Sequence, residues 1–307
     1  MSMLSKVWRA MLANPFRLLP VSFAVMIGLG TLLLLLPQAT VAGRKTTVLD
    51  ALFTATSAVC VTGLSVVDTA THWTGFGQGM ILLLIQIGGL GIVTVVSIGI
   101  VLLADRIGLS HTRILAADLR VDSYSDVPKL VRNIVLTTVA FEAVFALVLT
   151  ARFFFAHDYE LQTAAVHGVF HSISAWNNAG FALYTDNFLG FANDWFFSIA
   201  VCLAVILGGI GFPVLRTLAV HKFKWRMWPM HSKLMVSATA VLLVLGTVVF
   251  LVFEWSNPRT LGALPETARV HSAFFHSVQT RTAGFNSVDI TALNEESLFV
   301  STILMFI

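Results

Sequence analysis

Charge is what this 307-residue chain has least of. Asp, Glu, Lys and Arg make up 11% of it, against about a quarter in ordinary soluble domains. With 57% of residues hydrophobic, no soluble core would hide the apolar surface, and a soluble enzyme is excluded. Cysteine is almost absent. Cys60 and Cys202 form neither a disulfide framework nor a CxxC metal or redox pair. There is also no long basic run. The net charge of +3 is spread over short segments between apolar stretches, which reads as a topology signal and not as a nucleic-acid footprint.

Long apolar stretches are what the chain does have. After Lys6, Arg9 and Arg17 comes a run over 18–36 that stops at Pro37, longer than a secretory signal and close to the length that crosses a bilayer. Further runs cover about 76–103, 130–155, 194–219 and 234–253, and another begins near Ser297. This predicts an all-α polytopic membrane protein with five complete spans and one cut short.

Between the spans lie three segments too short to cross, at about 48–66, 163–183 and 269–287, each apolar first and then small, polar and glycine-containing. Overlaid, they agree. Phe53, Phe170 and Phe274 each stand ten residues before Gly63, Gly180 and Gly284, and Asp50, His167 and His271 stand thirteen before. The repeating unit is span, half-helix, glycine loop, span. It divides the chain into repeat 1 over 1–104, a linker with repeat 2 over 105–220, and a linker with an incomplete repeat 3 over 221–307.

Thirteen of the 19 basic residues, among them Arg106, Arg113, Arg120, Lys129, Lys222, Lys224 and Lys233, fall in the N-terminus and on one side of the spans. Eleven of the 16 acidic residues fall on the other. The positive side is read as cytoplasmic, together with the N-terminus, and all three glycine loops then share the external face. Each is expected to be a re-entrant loop.

Non-helical backbone at membrane depth must be buried in protein or line water. The loops read Val61-Thr62-Gly63, Asn178-Ala179-Gly180 and Thr282-Ala283-Gly284. They share no carboxylate, cysteine or imidazole. They share a glycine preceded by small residues, which suits backbone whose carbonyls face a common axis and replace the hydration shell of a monovalent cation. The C-terminal end of each half-helix would add a field favourable to a cation.

The stretch 53–64, followed by Gly88-Gly89-Leu90-Gly91, resembles the first repeat of the Trk/Ktr/HKT superfamily of cation transporters. Residues 175–181 and 280–285 resemble its second and third filters. The single span before the first loop is closer to the Ktr-type membrane subunit than to the Trk type. The resemblance implies a potassium pore of four non-identical repeats, with potassium as the transported ion and sodium as an allowed second one, and no organic cofactor. It implies a homodimer in a bacterial cell membrane, in contact with lipid and with cytosolic nucleotide-binding regulatory subunits. It further implies that glycine at position 63 goes with potassium and serine with sodium. The fourth repeat is missing: a Gly-Gly-x-Gly element follows the first two filters, and the third falls due just past Ile307. The expectation is a piece of a longer protein, or a chain that cannot close a fourfold pore alone.

Asp50, His167 and His271 are expected to tie down the starts of their half-helices. Arg281 should point away from the axis and brace its loop, with Glu266 or Asp289 as candidate partners. Glu142 lies inside a span, where an ionisable group is costly, and has either a structural or a coupling role. His167 and His171 are one helical turn apart, but without an HExxH motif they predict no transition-metal site. Three other readings remain at this point: an alternating-access carrier, which would need inverted repeats; a membrane-embedded enzyme using the two histidines; and an inactive truncated fragment.

Overall fold

The computed structural model describes residues 15–91, 127–281 and 283–306. Lys6, Arg9, the linker charges from Asp105 to Asp126, Thr282, Ile307 and the later part of the run over 76–103 lie outside them. The described residues are helical. Among them the one strand-like feature is an isolated bridge between Thr40 and Trp73.

Among the described residues ten α-helices of ten residues or more carry the fold: α1 (Pro15–Leu34), α2 (Val48–Val59), α3 (Gly75–Gly89), α4 (Val127–Ala156), α5 (Leu161–Trp176), α6 (Trp195–Gly209), α7 (Phe212–His221), α8 (Met230–Glu254), α9 (Glu266–Gln279) and α10 (Glu295–Phe306). At 1.5 Å per residue, α4 and α8 reach about 45 and 38 Å, enough for a hydrocarbon core of about 30 Å. Leu147 on α4 and Val252 on α8 are exposed, as lipid-facing residues are. By the same measure α2, α5 and α9, with 12, 16 and 14 residues, reach only about 18 to 24 Å. These are the three expected half-helices.

The apolar run over 194–219 is not one straight helix. It breaks after Gly209 into α6 and α7, which meet at 98°. Gly211 at the break has φ +90, a conformation that side chains with a Cβ resist. Gly91 holds φ +76 at the matching place after α3. Continuous hydrophobicity concealed this break, because the apolar run carries on past it through Phe212, Val214 and Leu215.

The helices form two compact units. One contains α1, α2 and α3; the other contains segment 62–72, α4 from Ala140, and α5 to α10. In the first, α2 opens with a reciprocal capping box: Asp50 N–H donates to Thr47 Oγ1 (3.1 Å) and Thr47 N–H donates to Asp50 Oδ2 (2.9 Å). Thr74, the N-cap of α3, donates through its hydroxyl to Gln38 O (2.6 Å) beyond the end of α1. In the second unit an aromatic core gathers around Phe188, which stacks on Phe285 (centroids 4.8 Å) and meets Phe197 edge-on (4.8 Å).

Two of the repeats are stapled with different chemistry. In repeat 2, Arg152 on α4 forms a two-pronged ion pair with Asp194 (2.8 and 2.9 Å), the N-cap of α6. In repeat 3, Glu254 at the end of α8 accepts from the Asn294 N–H (2.9 Å) and the Ser297 hydroxyl (2.5 Å) at the start of α10.

Candidate functional site

All three glycine loops start where a short helix runs out, and their described residues share one backbone conformation. Val61 and Asn178, two residues before their glycines, both sit at φ +55, and Gly63, Gly180 and Gly284 at +75, +71 and +79. For a β-branched valine this is an outlier, and such strain persists where the surroundings impose it, often at functional sites. Thr282 occupies the equivalent position in loop 3, outside the described residues.

The three glycines meet. A Cβ on Gly63 would stand 2.6 Å from the Ala179 carbonyl oxygen and 3.1 Å from Gly180 Cα. One on Gly180 would stand 2.8 Å from the Ala283 carbonyl oxygen and 3.0 Å from Gly284 Cα. Bare backbone from three segments more than a hundred residues apart therefore lines one place, with carbonyl oxygens of neighbouring loops at the glycines. Carbonyl dipoles gathered in this way suit a dehydrated cation.

Helix α5 holds its loop at three heights. The Ser174 hydroxyl donates to Phe181 O (2.7 Å), Leu183 N–H donates to His171 Nε2 (3.1 Å), and His167 Nδ1 pairs with the Tyr184 hydroxyl (3.0 Å). His171 donates through Nδ1 to His167 O (2.8 Å) and stacks on Tyr184 at 4°. Both its ring nitrogens are engaged and its tautomer is fixed as neutral, so it has no lone pair left for a metal. Among the described residues no cluster of His, Cys, Asp or Glu would hold a metal ion.

The other expected site residues spread out. Asp50 caps the start of α2. His167 grips Tyr184, beyond the filter. His271 bonds through Nε2 to Ala192 O (2.8 Å), joining α9 to the segment ahead of α6. The Glu142 carboxylate accepts from Asn177 Nδ2 (3.1 Å), the C-cap of α5, and its backbone oxygen accepts from the Ser172 hydroxyl (2.6 Å). Arg281 forms no ion pair with Glu266 or Asp289 among the described residues. It lines a cavity of about 190 Å³ together with Asn178, Gly209 and Met305.

Asn178, two residues before Gly180, reaches from its loop to a neighbouring helix. In the amide orientation that satisfies both groups, its Nδ2 donates to Val205 O (3.1 Å) and its Oδ1 accepts from Gly209 N–H (3.3 Å). Those are the two groups that one α-helical hydrogen bond would join, in the last turn of α6 before the break. A side chain inserted at such a pair is a recognised cause of helix bending. Glycines in the last turns of α3 and α6 also abut the half-helix ends: a Cβ on Gly88 would run into the Val59 carbonyl, and one on Gly208 into that of Trp176.

Two buried carboxylates lie at helix ends, Asp194 before α6 and Glu254 at the close of α8. Burial pushes the Asp194 carboxyl up, but hydrogen bonds from Arg152, His157 and the Phe197 N–H outweigh it and hold it below its usual 3.8. Glu254, 1% exposed, also accepts from Asn257 Nδ2 (2.7 Å) and the Thr260 hydroxyl (2.5 Å).

Short half-helices ending in converging glycine loops, between helices long enough to cross a bilayer, define a membrane protein built of pore-helix repeats. A family profile described as "TrkH: Cation transport protein" matches residues 6–307. The Ktr system potassium uptake protein B of Bacillus subtilis is 36% identical over 96% of this chain, and that of Vibrio alginolyticus 38% over 95%. The potassium/sodium uptake protein NtpJ of Enterococcus hirae is 36% identical over 96%. The chain spans 63–65% of the length of these relatives. The crystal structure of the potassium transporter TrkH from Vibrio parahaemolyticus superposes with a TM-score of 0.64 over 92% of this chain and 53% of that one, and at 16% identity the likeness speaks for the fold. The chain belongs to the TrkH family of cation transport proteins.

Proposed function

We propose that this chain is the membrane subunit of a Ktr/Trk-type potassium uptake system, in which potassium passes in file through backbone carbonyl sites. Val61, Thr62 and Gly63, then Asn178, Ala179 and Gly180, then Thr282, Ala283 and Gly284 are the filter positions. The observation that carries this reading is the meeting of Gly63, Gly180 and Gly284, with the Ala179 and Ala283 carbonyl oxygens where side chains would otherwise stand. The names of the relatives, two potassium uptake proteins and a potassium/sodium uptake protein, point the same way.

In this reading the N-terminus is cytoplasmic in a bacterial cell membrane, the glycine loops face outward, and the repeats run over 1–104, 105–220 and 221–307. A homodimer, surrounding lipid and a cytosolic nucleotide-binding ring complete the system. Sodium is the second ion it admits. The experiment is rubidium uptake by potassium-uptake-deficient cells expressing the full-length protein. Saturable uptake that potassium inhibits is expected, and uptake no higher than in empty cells refutes the proposal.

A further inference from the structure

Six consecutive residues between α7 and α8 alternate a cation with a large apolar side chain: Lys222, Phe223, Lys224, Trp225, Arg226 and Met227. All six are exposed, and Phe223 is 90% exposed. The turn that carries them is pinned. Trp228 is buried and its indole N–H donates to Lys222 O (2.9 Å), and Trp225 packs against the Trp228 ring (centroids 5.1 Å). The Thr217 hydroxyl of α7 pairs with the Ser232 hydroxyl of α8 (2.9 Å). Between Asp194 and Glu254 the chain holds five Lys or Arg and no Asp or Glu, and among the described residues no carboxylate forms an ion pair with any of the five. The turn also stands at the end of a span. From Leu234 to Phe253, α8 carries no charged residue, and it is long and apolar enough to cross a bilayer.

We propose that the turn from Lys222 to Met227 is a docking surface for the headgroups of acidic phospholipids, an interaction that does not depend on which ion the protein carries. Its position decides the occupant: the turn directly precedes the part of α8 that crosses hydrocarbon, where headgroups are the neighbours. A phenylalanine ring left in water beside a lysine is unfavourable. At the boundary between headgroups and acyl chains both groups are satisfied, because the ring enters the apolar layer while the cation stays with the phosphates. Tryptophan favours the same depth. Three cations on one short turn favour a lipid of net negative charge over a zwitterionic one. The bond from the Trp228 indole to the Lys222 carbonyl gives the turn a fixed shape, so the cations act on one patch of headgroups.

The test places the full-length protein in phosphatidylcholine vesicles that contain a fixed fraction of brominated phosphatidylglycerol or of brominated phosphatidylcholine. Bromine quenches tryptophan fluorescence at short range, and the difference between the protein and its Trp225→Phe variant isolates Trp225. At low salt the brominated phosphatidylglycerol should quench Trp225 roughly three- to ten-fold more effectively than an equal fraction of the brominated phosphatidylcholine. Added sodium chloride should shrink that preference. Lys222→Gln, Lys224→Gln and Arg226→Gln together should bring the ratio to about one, and Arg226→Gln alone should give an intermediate value. Equal quenching by the two lipids in the wild type overturns the proposal, because the turn then anchors through its apolar side chains alone. An undiminished preference in the triple variant also overturns it, because the charge that selects the lipid then lies elsewhere. Should the triple variant fail to enter vesicles, Arg226→Gln decides, and a preference equal to wild type overturns the proposal. A Trp225 that neither lipid quenches and aqueous iodide does quench overturns it too, showing a face open to water and free for a soluble partner.

Discussion

Gly63 approaches the carbonyl of Ala179 so closely that the Cβ it lacks would stand 2.6 Å from that oxygen. The neighbouring atoms are backbone, so accommodation means moving a filter carbonyl. Gly63 also holds φ +75, which costs a residue with a Cβ about 1–2 kcal/mol. Alanine at Gly63 and at Gly180, whose Cβ would stand 2.8 Å from the Ala283 oxygen, should therefore impair ion selectivity strongly. Gly284→Ala meets only Gly180 Cα at 3.2 Å and should be the mildest of the three. Permeability ratios for potassium, rubidium and sodium check this ranking.

Asn178 connects the filter to the turn of α6 before the break. Asn178→Ala removes both contacts of the carboxamide and places alanine at φ +55, where asparagine is far better tolerated. A loss of about 1–2 kcal/mol is expected. Hydrogen–deuterium exchange should quicken in the last turn of α6 and stay unchanged in the middle of α8. Equal protection of α6 in the variant would show that the carboxamide does not support that turn.

The Arg152–Asp194 pair gives a pH dependence with a definite sign. The folded carboxyl titrates below its ordinary 3.8, so its stabilisation is complete above that value and drains away as pH falls through the lowered one. Asp194→Asn should melt earlier than wild type at neutral pH, by about 1–3 kcal/mol. The gap should close as the pH is taken below 3.8. Thermal melts in detergent at a series of pH values measure it.

Glu254 collects donors from four residues in a site that is 1% exposed. Glutamine would turn one acceptor oxygen into a second donor facing donors. Glu254→Gln is expected to cost about 2–4 kcal/mol, read as a lower melting temperature, and Glu254→Asp to recover only part of it because the shorter chain does not reach all four.

What the sequence displays and what it conceals divide along physical lines. The half-helices are legible because they are apolar yet too short to span, and the filter glycines because their spacing to Phe53, Phe170 and Phe274 repeats. The break between α6 and α7 is hidden because Gly-Gly-Ile-Gly lies inside one apolar run that continues on both sides of it. The hydrogen bond from the Thr185 hydroxyl to Asp68 is hidden for another reason: a carboxylate in a polar loop has no periodic signature, and this partner lies 117 residues away. The overlay that finds the glycines also aligns Asp68, Thr185 and Asp289, so that signal was present. The roles of His167 and His271 depend on Tyr184 and Ala192, partners that no local pattern names.

The most direct test of the filter is the potassium-to-sodium permeability ratio of Gly63→Ser in the full-length protein. The serine Cβ must displace the Ala179 carbonyl oxygen, and the family resemblance associates serine here with sodium. The account predicts that flux persists and that sodium permeability rises relative to potassium. Flux with an unchanged ratio would contradict it, because a residue against the ion-coordinating carbonyls cannot gain a side chain without altering which ion they suit.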